Sequence, residues 1–129
     1  MSTIKVTNIQ ATGETPTRAV SGVAAAWVNF NGTGTIAIRD SINVSSLTDN
    51  ATANHHVNLT NNMASEAYHI SNSTAGNGSD VWGFANTTTA GSYEANRIHV
   101  FLKYVAANVS GTYSADRNTM TTSAHGDLA

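Results

Sequence analysis

Residues 26–50 read AWVNFNGTGTIAIRDSINVSSLTDN, and this stretch decides the fold. Trp27, Phe30, Ile36, Ile38, Ile42, Val44 and Leu47 supply bulky side chains, and Asn29, Asn31, Thr33, Thr35, Asn43 and Ser45 separate them. A period of two dominates, which predicts strands rather than helix. Asn31-Gly32-Thr33-Gly34 interrupts the alternation with residues that tolerate positive φ, so a tight reversal and a hairpin are expected there. Trp27 and Phe30 are assigned to the core or to a subunit interface.

The same reading extends in both directions. Toward the amino terminus, Ile4, Val6 and Ile9 alternate with polar residues before the glycine-, threonine- and proline-bearing ATGETPTR. Residues 1–25 are therefore expected to be an extended amino-terminal segment, with AVSGVAAA leading into the first core strand. A lone segment of this kind frays unless something holds it, and a neighbouring chain is the natural candidate.

Toward the carboxyl terminus, INVSSL is followed by the turn cluster TDNATANH. In HHVNLT, Val57 and Leu59 face one way and His56 and Asn58 the other. MASEAYHI is read as a loop or one helical turn before a short strand carrying Tyr68 and Ile70. Residues 71–79, SNSTAGNGS, are expected to be an exposed loop. DVWGFA is a brief strand with Trp82 and Phe84 on one face, and TTTAGSYEAN a second polar loop. RIHVFLKYV is the strongest late strand, NVSGTYSADR a turn, and NTMTTSAH the last strand. Eight to ten short strands with turns at roughly ten-residue spacing predict an all-β fold, an antiparallel β-sandwich or jelly-roll over residues 26–129.

Composition bounds what such a domain does. Its 129 residues fit one domain. Only 11% are charged, whereas 18 Thr, 15 Asn and 13 Ser make the surface neutral and rich in hydroxyls and amides. Six basic residues and a net charge of −2 form no stripe that could neutralise a phosphate backbone, so nucleic acid is not an expected partner. With no cysteine, stability must come from the sheets, from oligomerisation or from both. MSTIKVTNIQ lacks the basic start and apolar run of a signal peptide, and no stretch is long enough to span a bilayer as a helix, so membrane insertion is not expected. Eight Asn-x-Ser/Thr triplets follow from the abundance of these residues and are not read as glycosylation sites.

The segment AWVNFNGTGTIAIRDSINVSSLTDN, followed by VNLTNNMASEAY, resembles one found in tail-fibre and related virion-appendage proteins of marine and other environmental bacteriophages. The opening STIKV-NIQ and the closing HGDLA are also similar to the ends of such proteins. This chain departs from the pattern at Asn50-Ala51-Thr52-Ala53, where glycine-bearing NGTG is usual, and at Ala64, where proline is common. Residues 71–96 match nothing in the pattern. The resemblance implies a homotrimeric, β-rich virion component assembled in the host cytoplasm. Residues 1–25 would attach to other virion structural proteins, the β-domain would point outward, and the unmatched residues would meet the host surface.

Candidate chemistry is sparse. His55, His56, His69, His99 and His125 invite a metal site, but adjacent His55 and His56 project to opposite faces of a strand and no carboxylate or cysteine completes a set. No metal or other cofactor is expected. The carboxylates, Glu14, Asp40, Asp49, Glu66, Asp80, Glu94, Asp116 and Asp127, fall mostly in turns, with Asp40 beside Arg39 and Asp116 beside Arg117, so local ion pairs are expected rather than a hydrolytic dyad. No G-x-S-x-G turn is present, and the chain is not expected to be an enzyme. A host-glycan contact needs an exposed aromatic ring beside amides and carboxylates. Asn77, Asp80, Trp82, Asn86 and Tyr93 supply that mixture, the competing reading being that Trp82 and Phe84 are core. A stand-alone carbohydrate-binding module and a polysaccharide depolymerase are the alternative functions.

Overall fold

The computed structural model describes residues 2–9, 18–19, 23–75, 81–86, 93–106 and 113–129, and every regular element among them is a β-strand. A short antiparallel ladder joins β1 (Asn8–Ile9) to β2 (Arg18–Ala19). Eight longer strands follow: β3 (Ala24–Asn31), β4 (Ala37–Ile42), β5 (Val44–Ala51), β6 (Asn54–Leu59), β7 (His69–Ala75), β8 (Val81–Asn86), β10 (Arg97–Ala106) and β12 (Thr119–His125). Two-residue strands, β9 (Tyr93–Glu94) and β11 (Tyr113–Ser114), attach to β10.

These strands make two antiparallel sheets. One has the order β4-β3-β12-β7. The other runs β5-β6-β10, with β8 and β9 beside β10 as well. A strand has only two edges, so β11, paired at Lys103 and Tyr104, must extend the edge that β6 occupies from Arg97 to Phe101. β8 and β9 share the opposite edge.

Period-two alternation places the core between the sheets. Ala26, Val28 and Phe30 of β3 and Met120, Thr122 and Ala124 of β12 are buried on one side. His55, Val57 and Leu59 of β6 and Ile98, Val100 and Leu102 of β10 are buried on the other. The result is a β-sandwich, as expected for sheets that each have one apolar face. Phe30 touches the opposite sheet directly, its ring edge-on to His55 at 5.6 Å.

Two non-glycine residues with positive φ mark the sharpest connections. Asn43 (φ 57°) is the single residue between β4 and β5, where the chain passes from one sheet to the other. Its side chain accepts from the Asn61 N–H at 2.8 Å and donates to the Asn61 carbonyl at 3.0 Å. Asparagine is among the few residues that adopt this conformation readily. Ala53 (φ 61°) ends the β5–β6 turn without that advantage. It is held by an N–H donated to Asp116 Oδ1 at 2.6 Å and a carbonyl accepting from Leu102 N at 2.9 Å.

Several local expectations are corrected. Residues 71–75, read as loop, are the body of β7, because seven residue pairs with β12 supply a ladder that their weak strand propensity does not. Tyr68 lies before β7 rather than in it, buried at 6% exposure, its hydroxyl 3.0 and 3.1 Å from the Glu94 and Arg97 carbonyl oxygens. Tyr93–Glu94 and Tyr113–Ser114, read as loop and turn, extend the sheet at β10. Of the two places expected for Trp27, core or subunit interface, the core is excluded. Trp27 stands on the outer face of β3, between inward-facing Ala26 and Val28. Arg39 turns away from Asp40 and crosses β3, donating to Asn29 Oδ1 (3.3 Å), the Phe30 carbonyl (3.1 Å), Thr119 Oγ1 (3.4 Å) and the Asn118 carbonyl. Its extra position in β4 is a bulge, between the pairs Asn29 with Asp40 and Phe30 with Ile38.

Candidate functional site

Of the expected glycan-contact residues, Asn77 and Asp80 lie outside the described residues, and Trp82 and Asn86 are described only as backbone positions of β8. β8 pairs Trp82 with Val105 and Asn86 with Phe101, while β9 pairs Tyr93 with Ile98. At about 3.3 Å per residue, these registers spread Tyr93 and Trp82 over roughly 23 Å along β10. Tyr93 is 36% exposed and packs edge-on against Tyr68, with ring centroids 5.5 Å apart. Burial raises the Tyr68 phenol above its ordinary pKa, so it remains a hydrogen-bond donor over the physiological range.

Two titratable clusters form that the sequence does not reveal, because each joins distant segments. On the outer face of the second sheet, His56 of β6 lies directly across from His99 of β10, ring centroids 4.0 Å apart. His99 Nε2 is 3.0 Å and Arg97 Nη2 2.7 Å from Glu94 Oε1. The hydrogen bond from Arg97, followed by that from His99, pulls the Glu94 carboxyl below its usual pKa. Partial burial, then the neighbouring His99 and Arg97, lowers that of His56. Glu94 is engaged by Arg97 and His99, and the cluster holds no carboxylate pair that would act as acid and base.

The second cluster is interior. His55 is fully buried, its Nδ1 3.6 Å from Asp49 Oδ1 and its Nε2 3.6 Å from Asp116 Oδ1. Both separations exceed hydrogen-bond reach. Gly32 closes the remaining side: a Cβ there would come 3.1 Å from His55 Nε2 and 2.6 Å from Met120 Sδ. A substrate has no approach to this imidazole. Among the described residues, no three His, Cys, Asp or Glu side chains gather as a metal site requires.

A third feature is open. On the outer face of the first sheet, the registers align Trp27 with Ser123 and Ser71, and Asn29 with Thr121 and Ser73. The backbone row Val28, Thr122 and Asn72 runs between them as a floor. These nine residues line a shallow dish of about 350 Å³, at the small end of the roughly 300–1,000 Å³ typical of ligand sites. It is hollow because four of its six outward side chains are serine or threonine, with the larger Trp27 at one side. His69 Nε2 lies 3.2 Å from Ser71 Oγ, and His125 Nε2 3.3 Å from Ser123 Oγ. Thr121 Oγ1 donates to the Ser73 carbonyl at 3.2 Å. The sequence signal for the dish is the alternation AWVNF itself, which puts Trp27 and Asn29 on the face opposite Val28 and Phe30. The aligned hydroxyls on β12 and β7 required the pairing.

Among the described residues, fold and surfaces together define an all-β sandwich with an open polar dish, a hydrogen-bonded His56–His99–Glu94–Arg97 cluster on one outer face, and a buried His55 whose ring nitrogens have no hydrogen-bond partner. No protein-family model, curated protein or solved structure matches this chain.

Proposed function

We propose that this chain is a non-enzymatic structural component of a phage virion, a short tail fibre, spike or similar appendage, assembled as a trimer and contacting the host surface. The observation that carries the reading is a side of the sandwich that no other described strand covers. β4 and β5 end their respective sheets and follow one another through Asn43, so two strand edges lie next to each other. Ile42 is 53% and Ile38 37% exposed on β4. Open edges with exposed isoleucine are what soluble proteins normally protect, and a second copy of the chain is an economical cover. The trimeric number and the virion setting rest on the resemblance of residues 26–68 to phage appendage proteins.

Light scattering on a sizing column tests the assembly. Three chains of 13.5 kDa are expected, and Ile42→Lys is expected to shift the mass toward the monomer. A monomer before and after substitution removes the oligomeric part of the proposal. Absence of the protein from purified particles, probed with an antibody raised against it, removes the virion part. The dish on the first sheet favours a second reading, a stand-alone carbohydrate-binding module, which predicts a glycan-binding monomer.

A further inference from the structure

The geometry points to a saccharide-binding site on the outer face of the β4-β3-β12-β7 sheet, with Trp27 as the stacking platform and Asn29, Ser71, Ser73, Thr121 and Ser123 as the polar contacts. The ligand class is a neutral oligosaccharide. If the chain is a virion appendage, this dish is where it would meet a host glycan; its binding chemistry stands without that setting.

The argument begins with what the dish lacks. None of its nine lining residues is charged. The charged side chains bordering it, Arg39 and Asp40, lie at one edge beside Asn29 and are of opposite sign, so the dish favours no ionic ligand, whereas a neutral polyol exchanges water hydrogen bonds for protein ones at little net loss. A pyranose has an apolar face of C–H groups and a rim of hydroxyls, and the dish reproduces that division. Trp27, half-buried and fixed by its strand, offers an aromatic surface at one side. Rows of hydroxyl and amide groups extend away from it.

Dimensions agree. Strands lie about 4.8 Å apart and same-face neighbours along a strand about 6.8 Å apart, so the six outward residues frame an area of roughly 10 by 7 Å, the footprint of one or two sugar rings. The polar groups are also oriented in advance. His69 and His125 engage the Ser71 and Ser123 hydroxyls from the rim. Arg39 takes the Asn29 Oδ1, which leaves the amide hydrogens as the donors that side chain presents. Preorganisation of this kind lowers the ordering loss on binding. A flat subunit contact would require none of it.

The test titrates the full chain calorimetrically with cello-, manno-, galacto- and N-acetylglucosamine tetrasaccharides and with a tetragalacturonate control. A saturable heat of binding with at least one neutral tetrasaccharide is expected, and none with the galacturonate. Trp27→Ala should weaken that binding, followed calorimetrically, by about tenfold or more, as expected for loss of a stacked ring, while Trp27→Phe retains most of it. Should Trp27→Ala fail to fold, Ser123→Leu fills the dish from the neighbouring strand and must abolish binding. Absence of binding across the neutral panel overturns the proposal. So does binding that survives both Trp27→Ala and Ser123→Leu, or a native mass that falls when Trp27 alone is replaced, which would assign the ring to a subunit contact. Native mass and glycan affinity are read separately, so failure of the dish and failure of the appendage reading are distinguishable.

Discussion

Ala53→Gly should be nearly neutral for stability, although it removes a fully buried methyl group. At an ordinary buried strand position such as Ala26, glycine loses roughly 0.8 kcal/mol of burial and adds about 0.5–1 kcal/mol of chain entropy to the unfolded state. Both alanines are completely buried. Ala53 differs in its φ of 61°, a left-handed conformation that disfavours a Cβ by about 1–2 kcal/mol and does not penalise glycine. Relief of that strain offsets the two losses. Ala53→Gly is therefore expected within about 0.8 kcal/mol of wild type, whereas Ala26→Gly should be destabilised by roughly 1.3–1.8 kcal/mol. In a domain of this size that control should melt about 4–8 °C lower. Urea unfolding of the two variants in parallel, with equal m-values, gives the comparison. If Ala53→Gly falls as far as Ala26→Gly, the left-handed turn is not a source of strain and the reasoning fails.

Gly32→Ala should destabilise by about 1–3 kcal/mol through overpacking. Its Cβ would lie 2.6 Å from Met120 Sδ and 3.0 Å from the Arg117 carbonyl oxygen, which already accepts the Gly32 N–H at 2.8 Å; an unchanged urea midpoint would show that the turn yields. Acidification should lower the melting temperature in two windows. The His56 pKa is depressed below 6.5, so the unfolded chain binds more protons just below that value and stability falls as pH drops through it; the lowered Glu94 carboxyl does the same below about 4.5. His56→Gln should remove the upper window and leave the lower one, and an unaltered upper slope in a melting series from pH 7.5 to 3.5 would refute the assignment.

Much of the architecture is legible in residues 26–59 alone. Alternation in AWVNF and HHVNL assigns Val28, Phe30, Val57 and Leu59 to one face each, and NGTG places the first reversal, because strand periodicity and turn chemistry are local properties. The same alternation separates His55 from His56, one fully buried and the other on the outer face. Local reasoning failed at residues 71–75. Small polar residues carry a loop signature until a neighbouring strand offers them a ladder, and that strand, β12, is some fifty positions away.

The site shows the same division. That Trp27 and Asn29 share a face follows from spacing, yet whether that face is core or surface depends on which side the second sheet covers. Apolar side chains on β6 and β10 settle it by burying Val28 and Phe30. The hydroxyl rows of the dish exist only because β12 lies between β3 and β7 in one register, and the His56–His99–Glu94 cluster only because β6 and β9 both pair with β10. The sequence by itself determined the strand class, the turns and the neutral, hydroxyl-rich surface, since these depend on composition and on neighbours a few residues apart. Only the tertiary structure decided which polar side chains meet, because strand register is set by the long-range burial of apolar faces.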